Sequence, residues 1–497
     1  MIKLIKNELT KIFHKKAIYI VVAVIFLFIT TINVLSKVLE NIDQFYESNN
    51  DEEIAFLQQE LKNLDKNKPE EKELYAAYKT QLDVALLNKK YESDSWQSYI
   101  VQTKGNEIIS NMNYSEGREN YEDAKKEYDE FIKRLENNDW KAYVKEELES
   151  VNAQIKEIEE SKKELTKEID KLSAEMNLST LKAQKQALEW RLEYDISYTK
   201  SNRNTFIEDW LNNKNTIDYT KQAEKNNEKI TYSDRCQKQE TEAEIALLEY
   251  AIKNVKNDDI NSAYVNDTRI LAGTNDTALI NTWDEYSLFI FVAATMIAGA
   301  IVSEEFNKGT IKLLLVRPYK RTKLLISKFI ASLIVVILVV IIVGLVGFIV
   351  VGIVNGFNKY NSQITIYNFG KSSVEQVSLL KYTVLTGISK MPMYILIMTL
   401  AFSLGVIFNN TPLAIALPLV GNMVSQIINA LFLEFEKAKF LKFFVTPNWD
   451  FSIFLFGKMP RYEGLSIGFS TIICIIYFAI MIVMSIGVFK NKDIKNV

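Results

Sequence analysis

The chain has 497 residues, 48% of them hydrophobic and 24% charged, with a formal net charge of −3. Two cysteines, Cys236 and Cys474, cannot build a disulfide framework, and a single histidine, His14, excludes HExxH zinc sites and His-based triads within the chain. The small net charge averages an apolar portion and a solvated portion, so it points to no partner.

Residues 1–16 hold Ile2, Ile5, Leu9 and Ile12 at helical steps, flanked by Lys3, Lys6 and Lys11. That pattern suits an amphipathic helix lying in a membrane interface. Positions 17–35 then carry no charge, and neither do 286–303, 329–357, 391–433 or 465–489. A hydrocarbon core of roughly 30 Å takes about 20 apolar residues in helical form. The 391–433 run is too long for one crossing and contains Asn409-Asn410-Thr411-Pro412, where the proline reads as a new helix start. Six spans result: 17–35, 286–304, 327–354, 391–408, 412–433 and 466–489. The first is longer than the h-region of a signal peptide, about 7–15 residues, and no A-x-A site follows it, so it is read as a retained span.

Between the first two spans lies a polar block, 36–285, with one proline (Pro69) and three glycines (Gly105, Gly117, Gly273). So few breakers argue helix. Leu148, Val151, Ile155, Ile158, Lys162, Leu165, Ile169, Leu172 and Met176 follow an a/d heptad, the pattern of a coiled-coil seam. The phase jumps at Asn177-Leu178-Ser179-Thr180, as either a skip or a hairpin turn, with the turn favoured, before resuming at Leu181, Lys185, Leu188 and Leu192. Leu74, Tyr78, Leu82 and Leu86, and Ala243, Leu247 and Tyr250, suggest further helices packed on that pair. The expected fold class is an all-α membrane protein: six transmembrane helices plus a large extracellular α-helical coiled-coil domain between spans one and two. Its role is a rigid spacer or a surface that receives or recognises what crosses the membrane.

Lysine and arginine mark the cytoplasmic side. Lys3, Lys6, Lys11, Lys15 and Lys16 precede the first span, Lys308, Lys312, Arg317, Lys320, Arg321 and Lys323 lie between the second and third, and Lys490, Lys492 and Lys495 follow the sixth. With six spans these segments share one face, which places both termini inside a bacterial cell membrane and 36–285 outside.

No G-x-x-x-x-G-K-[ST] occurs, so no P-loop binds nucleotide here. Gly464-Leu465-Ser466-Ile467-Gly468 matches G-x-S-x-G, but it opens an apolar helix and has no histidine on its side of the membrane, so the match is chance. The basic residues of 304–325 lack aromatic interleaving, and orientation explains them without nucleic acid. No metal or catalytic residue is expected.

The 304–325 segment carries the densest chemistry. Glu304 and Glu305 sit where the second span leaves the bilayer, and charges there need partners, either local Lys/Arg or a partner's basic groups. Ile311, Leu314 and Leu315 beside Lys308 and Lys312 permit a short amphipathic helix, which Arg317-Pro318 ends. The order of the acidic pair, Gly309-Thr310, Leu313-Leu314-Leu315, Arg317-Pro318, Arg321 and Lys328 resembles the E-x-x-x-G-T…L-L…P…R…G-K signature of ABC type-2 exporter permeases. The resemblance covers 1–35 and 286–497, with two departures: Ser327 stands where the family has glycine, and the 36–285 block is far larger than the usual first outer loop. It implies that Glu304, Glu305, Gly309, Thr310, Arg317, Pro318 and Arg321 contact a separate ATPase subunit, which binds the ATP and Mg²⁺. It also implies that a second permease copy or paralogue completes the transporter.

In the fifth span Asn422, Ser425, Gln426 and Asn429 form one polar stripe, read as hydrogen bonding between helices or as a dimer seam or translocation lining. Residues 434–465 hold an aromatic, Pro-broken stretch, FLKFFVTPNWDFSIFLFGKMP, too short to cross twice and read as a re-entrant or interfacial pair of helices on the outer face. The function expected is the permease subunit of an ATP-driven exporter of an amphipathic substrate (peptide, antibiotic or lipid), because no buried charge marks an ion route. The alternatives are a sensory or immunity module capturing an antimicrobial through its stalk, and a non-transporting coiled-coil receptor.

Overall fold

The computed structural model describes residues 1–43, 50–66, 68–225, 230–256, 258, 260–265, 268–273, 276–311, 319–357, 362–432 and 436–492. Six helices among them are long and apolar enough to cross a membrane: Tyr19–Val38, Ala278–Asn307, Arg321–Val354, Leu379–Phe408, Thr411–Ala430 and Ile467–Asn491. They overlap the six predicted spans, and the chain is a multi-pass membrane protein. Most extend past the apolar run because a helix that has paid for nucleation continues readily into polar sequence. The chain divides into two compact units, Met1–Asn41 with Lys229–Ala243 and Ser262–Val497, and Ile42–Glu228 with Glu244–Asn261.

The first unit opens with α1 (Ile2–Phe13) and the first span, α2 (Lys16–Asp43). The second unit is helical, as the scarcity of breakers requires: α3 (Asn50–Asn63), α4 (Pro69–Lys90), α5 (Trp96–Ile100), α6 (Asn106–Ser115), α7 (Tyr121–Glu136), α8 (Trp140–Ser161), α9 (Glu168–Glu193), α10 (Asn202–Lys225) and the C-terminal part of α11 (Tyr232–Asn254). It has its own apolar centres, one around Trp96, Ile100, Phe131, Leu135, Tyr143 and Leu188, another around Ile54, Leu57, Leu82 and Ala85. Ion pairs Lys162–Glu175 (2.9 Å) and Lys182–Glu159 (3.1 Å) show α8 and α9 running antiparallel.

Their turn is not at Asn177–Thr180. Helix α9 passes through those residues unbroken, and the chain reverses within 162–167 instead. Lys162 occupies a position where the heptad needs an apolar residue, and the polar run around it makes the break.

The all-α expectation also needs correction. Four short strands, β1 (Ile260–Val265), β2 (Thr268–Gly273), β3 (Gln363–Asn368) and β4 (Ser373–Ser378), form one sheet in that order. β2 pairs antiparallel with β3 through Leu271↔Thr365, and β3 with β4 through Ile364↔Val377 and Ile366↔Glu375. Ile270, Ala272, Ile364 and Ile366 pack with Leu279, Ile280, Val351 and Leu379. Residues 262–285 therefore belong with the membrane helices rather than with the insertion.

After α12 (Thr277–Ile280) come the remaining spans, α13 (Thr282–Asn307), α14 (Arg321–Asn355), α15 (Leu379–Phe408), α16 (Thr411–Phe432) and α17 (Ile467–Asn491). α13 and α15 form the centre, each 61% buried over its apolar window, whereas α2 and α16 are 17% buried. Asn33 of α2 donates to Tyr286 Oη (2.6 Å) and fastens the first span to the second. Asn409 ends α15 in the left-handed region (φ 51°), which asparagine tolerates, and Asn410 Oδ1 caps α16 by accepting from Leu413 N (3.1 Å). The 434–465 segment holds two short 3₁₀ stretches, Glu436–Phe443 and Phe451–Gly457.

Because α9 is continuous through Asn177, an exposed site, Asn177→Pro removes a helical hydrogen bond and costs about 3 kcal/mol or more. Hydrogen exchange on the full chain should show faster exchange across 168–193 in that variant, while a Gly-Ser insertion after Lys163 leaves it unchanged. The reverse pattern would restore the turn at 177–180.

Candidate functional site

Helix α1 buries Leu4, Glu8 and Ile12, one stripe at a spacing of four, and packs against α14; Ile5 and Leu9 are half-buried and Ile2 is exposed. A carboxylate in a docking face is costly unless answered. Lys328 of α14 answers it. Its side chain is fully buried, and Nζ lies 2.8 Å from Glu8 Oε2 and 2.7 Å from Glu305 Oε1. Lys11 Nζ reaches the same two carboxylates at 3.1 and 3.2 Å, while Lys15 and Lys308 hold Glu304 at 2.9 and 3.2 Å. The acidic pair expected at the end of the second span is thus neutralised by this chain's own lysines, and three helices, α1, α13 and α14, are joined by one buried charge cluster.

Burial alone would raise the Glu8 carboxyl, but Lys328 and Lys11 hold it below the ordinary carboxylate range. Burial would lower the Lys11 ammonium, but Glu305 and Glu8 raise it above its usual value. Glu8 therefore contributes stability above its unfolded pKa that is lost as pH falls through the depressed one, and Lys11 contributes below its unfolded pKa until pH rises through the raised one. The cluster is strongest between the ordinary glutamate and lysine values, about 4.3 and 10.4.

The other expected coupling residues surround this cluster. Gly309 ends α13 with φ +67°, a conformation that glycine adopts without strain, and Thr310 Oγ1 donates to Glu305 O (3.4 Å). Arg321 Nη1 donates to the carbonyls of Lys490 (3.2 Å) and Lys492 (3.0 Å), tying the start of α14 to the end of α17. Lys492 Nζ in turn donates to Val406 O, Ile407 O and Asn409 Oδ1, capping the last turn of α15. Ser327, at the family's glycine position, is buried and returns its hydroxyl to Leu324 O (2.7 Å), so a small polar residue fits there. Arg317 and Pro318 lie outside the described residues.

A second charge cluster contradicts the expectation that no charge is buried among the spans. Lys390 of α15, 3% exposed at its side chain, lies 2.6 Å from Asp284 Oδ1 of α13 and 2.9 Å from Asp450 Oδ2. Asp450 Oδ1 accepts from Ser452 N (2.9 Å), capping the second 3₁₀ stretch. Lys390 was missed because it sits at the edge of an apolar run and reads as a flanking charge. The non-helical 444–450 stretch is satisfied internally: Asn448, fully buried, donates to Lys442 O and Phe444 O and accepts from Ser470 Oγ (2.8 Å). Ser466 of the G-x-S-x-G match accepts from Phe469 N (3.2 Å) as the N-cap of α17, a structural role.

The fifth-span stripe divides. Ser425 and Asn429 meet Thr446 Oγ1 at 2.5 and 2.9 Å, Asn422 is buried with them, and Gln426 faces outward, exposed.

Lys328→Met removes the buried cation and leaves Glu8 and Glu305 with the half-exposed Lys11 alone, and breaking a buried pair costs about 3–5 kcal/mol. The melting temperature of the purified full chain should fall sharply, against little change for Lys308→Met on the exposed rim. The difference in melting temperature between the unmodified protein and Glu8→Gln should be constant near neutrality and vanish as pH falls below the carboxylate range; a pH-independent difference would place Glu8 outside the cluster.

Two proteins of Bacillus subtilis (strain 168) are similar to this chain. The uncharacterized protein YhcI is 29% identical over 276 residues, which make up 52% of this chain and 85% of YhcI. The uncharacterized membrane protein YdbK is 26% identical over 228 residues, 46% of this chain and 87% of YdbK. No solved structure matches. A family model described as "Protein of unknown function (DUF2705)" matches residues 245–495, so most of the insertion lies outside the match. Six apolar helices, closed at one end by the Lys328 cluster, fall largely within that matched region, and the chain is a member of the DUF2705 family.

Proposed function

We propose that this chain is the membrane-spanning permease subunit of an ATP-driven ABC exporter, coupled to a separate ATPase subunit and moving an amphipathic substrate outward. Its main support is the Lys328 cluster. The signature-like segment 304–325 leaves α13 beside Glu304 and Glu305 and re-enters α14 at Arg321, and both ends are fastened, the first to α1 and α14, the second to α17. A push on the intervening residues would therefore be passed to the second, third and sixth spans together instead of being absorbed by a loose loop. In this proposal 304–325 and both termini are cytoplasmic and 36–285 is extracellular.

A second permease copy, or a paralogue, fits against α16. That span is 17% buried, and its outward face sets the exposed Gln426 among Met423, Val424 and Ile427. An amide facing hydrocarbon gains from a partner across an interface, by about 0.6–2 kcal/mol. The buried charges do not argue for ion transport, because Lys390 and Lys328 are each already paired with two carboxylates. One observation favours sensing as a second reading: the insertion has apolar centres of its own, more than a spacer requires.

Affinity purification of the full chain from its native cell should recover a P-loop ATPase in stoichiometric amount, and Glu305→Gln should reduce that recovery or the ATPase rate. Proteoliposomes holding both subunits should then lose a loaded amphipathic dye or peptide on ATP addition. Recovery of the ATPase without transport would favour sensing, and recovery of no ATPase would leave a receptor.

A further inference from the structure

A cavity of about 480 Å³ opens between α13, α14 and α15, in the half of the bundle nearest the sheet. Its floor is the Trp283 indole, for which two glycines make room: a Cβ at Gly387 would stand 2.6 Å from the ring and one at Gly344 2.9 Å. Its mouth is formed by Ile341, Val384 and Ile388, which are 50%, 50% and 63% exposed on the outer faces of helices that cross the membrane. The cavity therefore opens sideways, between the exposed apolar faces of α14 and α15.

The wall has three polar side chains, and each is already used. Thr282 Oγ1 donates to Ala278 O (3.0 Å), Thr383 Oγ1 to Leu379 O (3.0 Å), and Trp283 Nε1 to Thr383 O (2.7 Å). No side-chain donor is left to hold a headgroup, and what remains is the acceptor capacity of two threonine hydroxyls in an otherwise apolar wall. At the same time the volume is within the range of small-molecule sites, about 300–1,000 Å³, and far above the voids that close-packed interiors leave. An apolar hole of that size, open to a bilayer, fills with hydrocarbon.

We propose that this cavity is a binding site for a single hydrocarbon chain of an amphiphile, entering laterally between α14 and α15 with its polar end left at the mouth. The site requires neither an ATPase nor transport, so it stands independently of the exporter proposal. A membrane phospholipid and a free fatty acid share this chemistry.

The test uses the full chain in phosphatidylcholine nanodiscs, with diazirine-bearing palmitate as one probe and a phosphatidylcholine carrying the same chain as the other. After irradiation, adducts should concentrate on 337–348 and 379–391, at least about tenfold above the exposed apolar residues of 472–484 in α17, such as Ile475 and Val483. Labelling by the phospholipid assigns the chain to the bilayer, and labelling by palmitate alone assigns it to a free amphiphile; either supports the site. Ile341→Trp and Val384→Trp fill the mouth without touching the floor and should bring labelling down to the level of 472–484, with elution and melting temperature unchanged. Even labelling over all lipid-facing residues overturns the proposal, as does labelling that the filling variants leave intact. So does a Val384→Cys variant that cross-links two copies while the cavity takes no adduct, because the occupant would then be a second copy of this chain.

Discussion

An ammonium group can lie within the first turns of a transmembrane helix only if it is met there, and Lys328 is met by Glu8 and Glu305 from two other helices. This requirement ties together parts of the chain that lie some 300 residues apart in sequence. With Lys328 buried, α1 cannot simply lie on the membrane surface as a detached amphipathic helix; Glu8 has to turn toward α14. Glu305 is drawn to the same cation, which fixes the end of α13, and Glu304 then takes Lys15 and Lys308. Burying such a group is not a route to high stability in itself, because desolvation offsets much of the attraction. What it supplies is specificity: one arrangement of three helices brings each of these charges against an opposite one.

The opposite end of the bundle uses the same device, one buried lysine between two carboxylates. Lys390 is held between Asp284 and Asp450, so the 3₁₀ segment is fastened to α13 and α15 through side chains rather than through a continuous helix. Asn448 meets the carbonyls that irregular backbone exposes. Between these two charged ends the interior is mostly apolar, with a few polar side chains that bond to their own helix or to a neighbouring one, as Ser485 does to Ser403, and the Trp283 cavity is a departure from close packing there.

The six spans and the break at Asn409 were legible in the sequence because hydrophobic length and a Pro-Asn start signal are local properties. The helical character of the insertion followed from its lack of Gly and Pro in the same way. Position within a pattern was harder. Lys162 in the a/d seam marked the real turn of the α8–α9 hairpin, but a phase jump at Asn177 drew more weight than one charged residue in an apolar position. The sheet was missed because its two hairpins lie far apart in sequence and each strand is six residues long, with β4 showing no clean alternation. Glu304 and Glu305 were recognised as needing cations, yet Glu8 was visible only as a lone acid among lysines. No periodicity argument could pair it with Lys328; that pairing depends on how α1 docks.

The most direct measurement is amide hydrogen exchange across 4–13 in the full chain, comparing the unmodified protein with Lys328→Met. A helix of 12 residues is marginal on its own, so its protection reports docking. If the buried lysine anchors α1, protection should drop by at least about tenfold in the variant while α13 and α15 remain protected. Equal protection of 4–13 in both proteins would mean that α1 is held by the membrane surface or by its apolar contacts alone, and the Lys328 cluster would lose its place as the organising constraint.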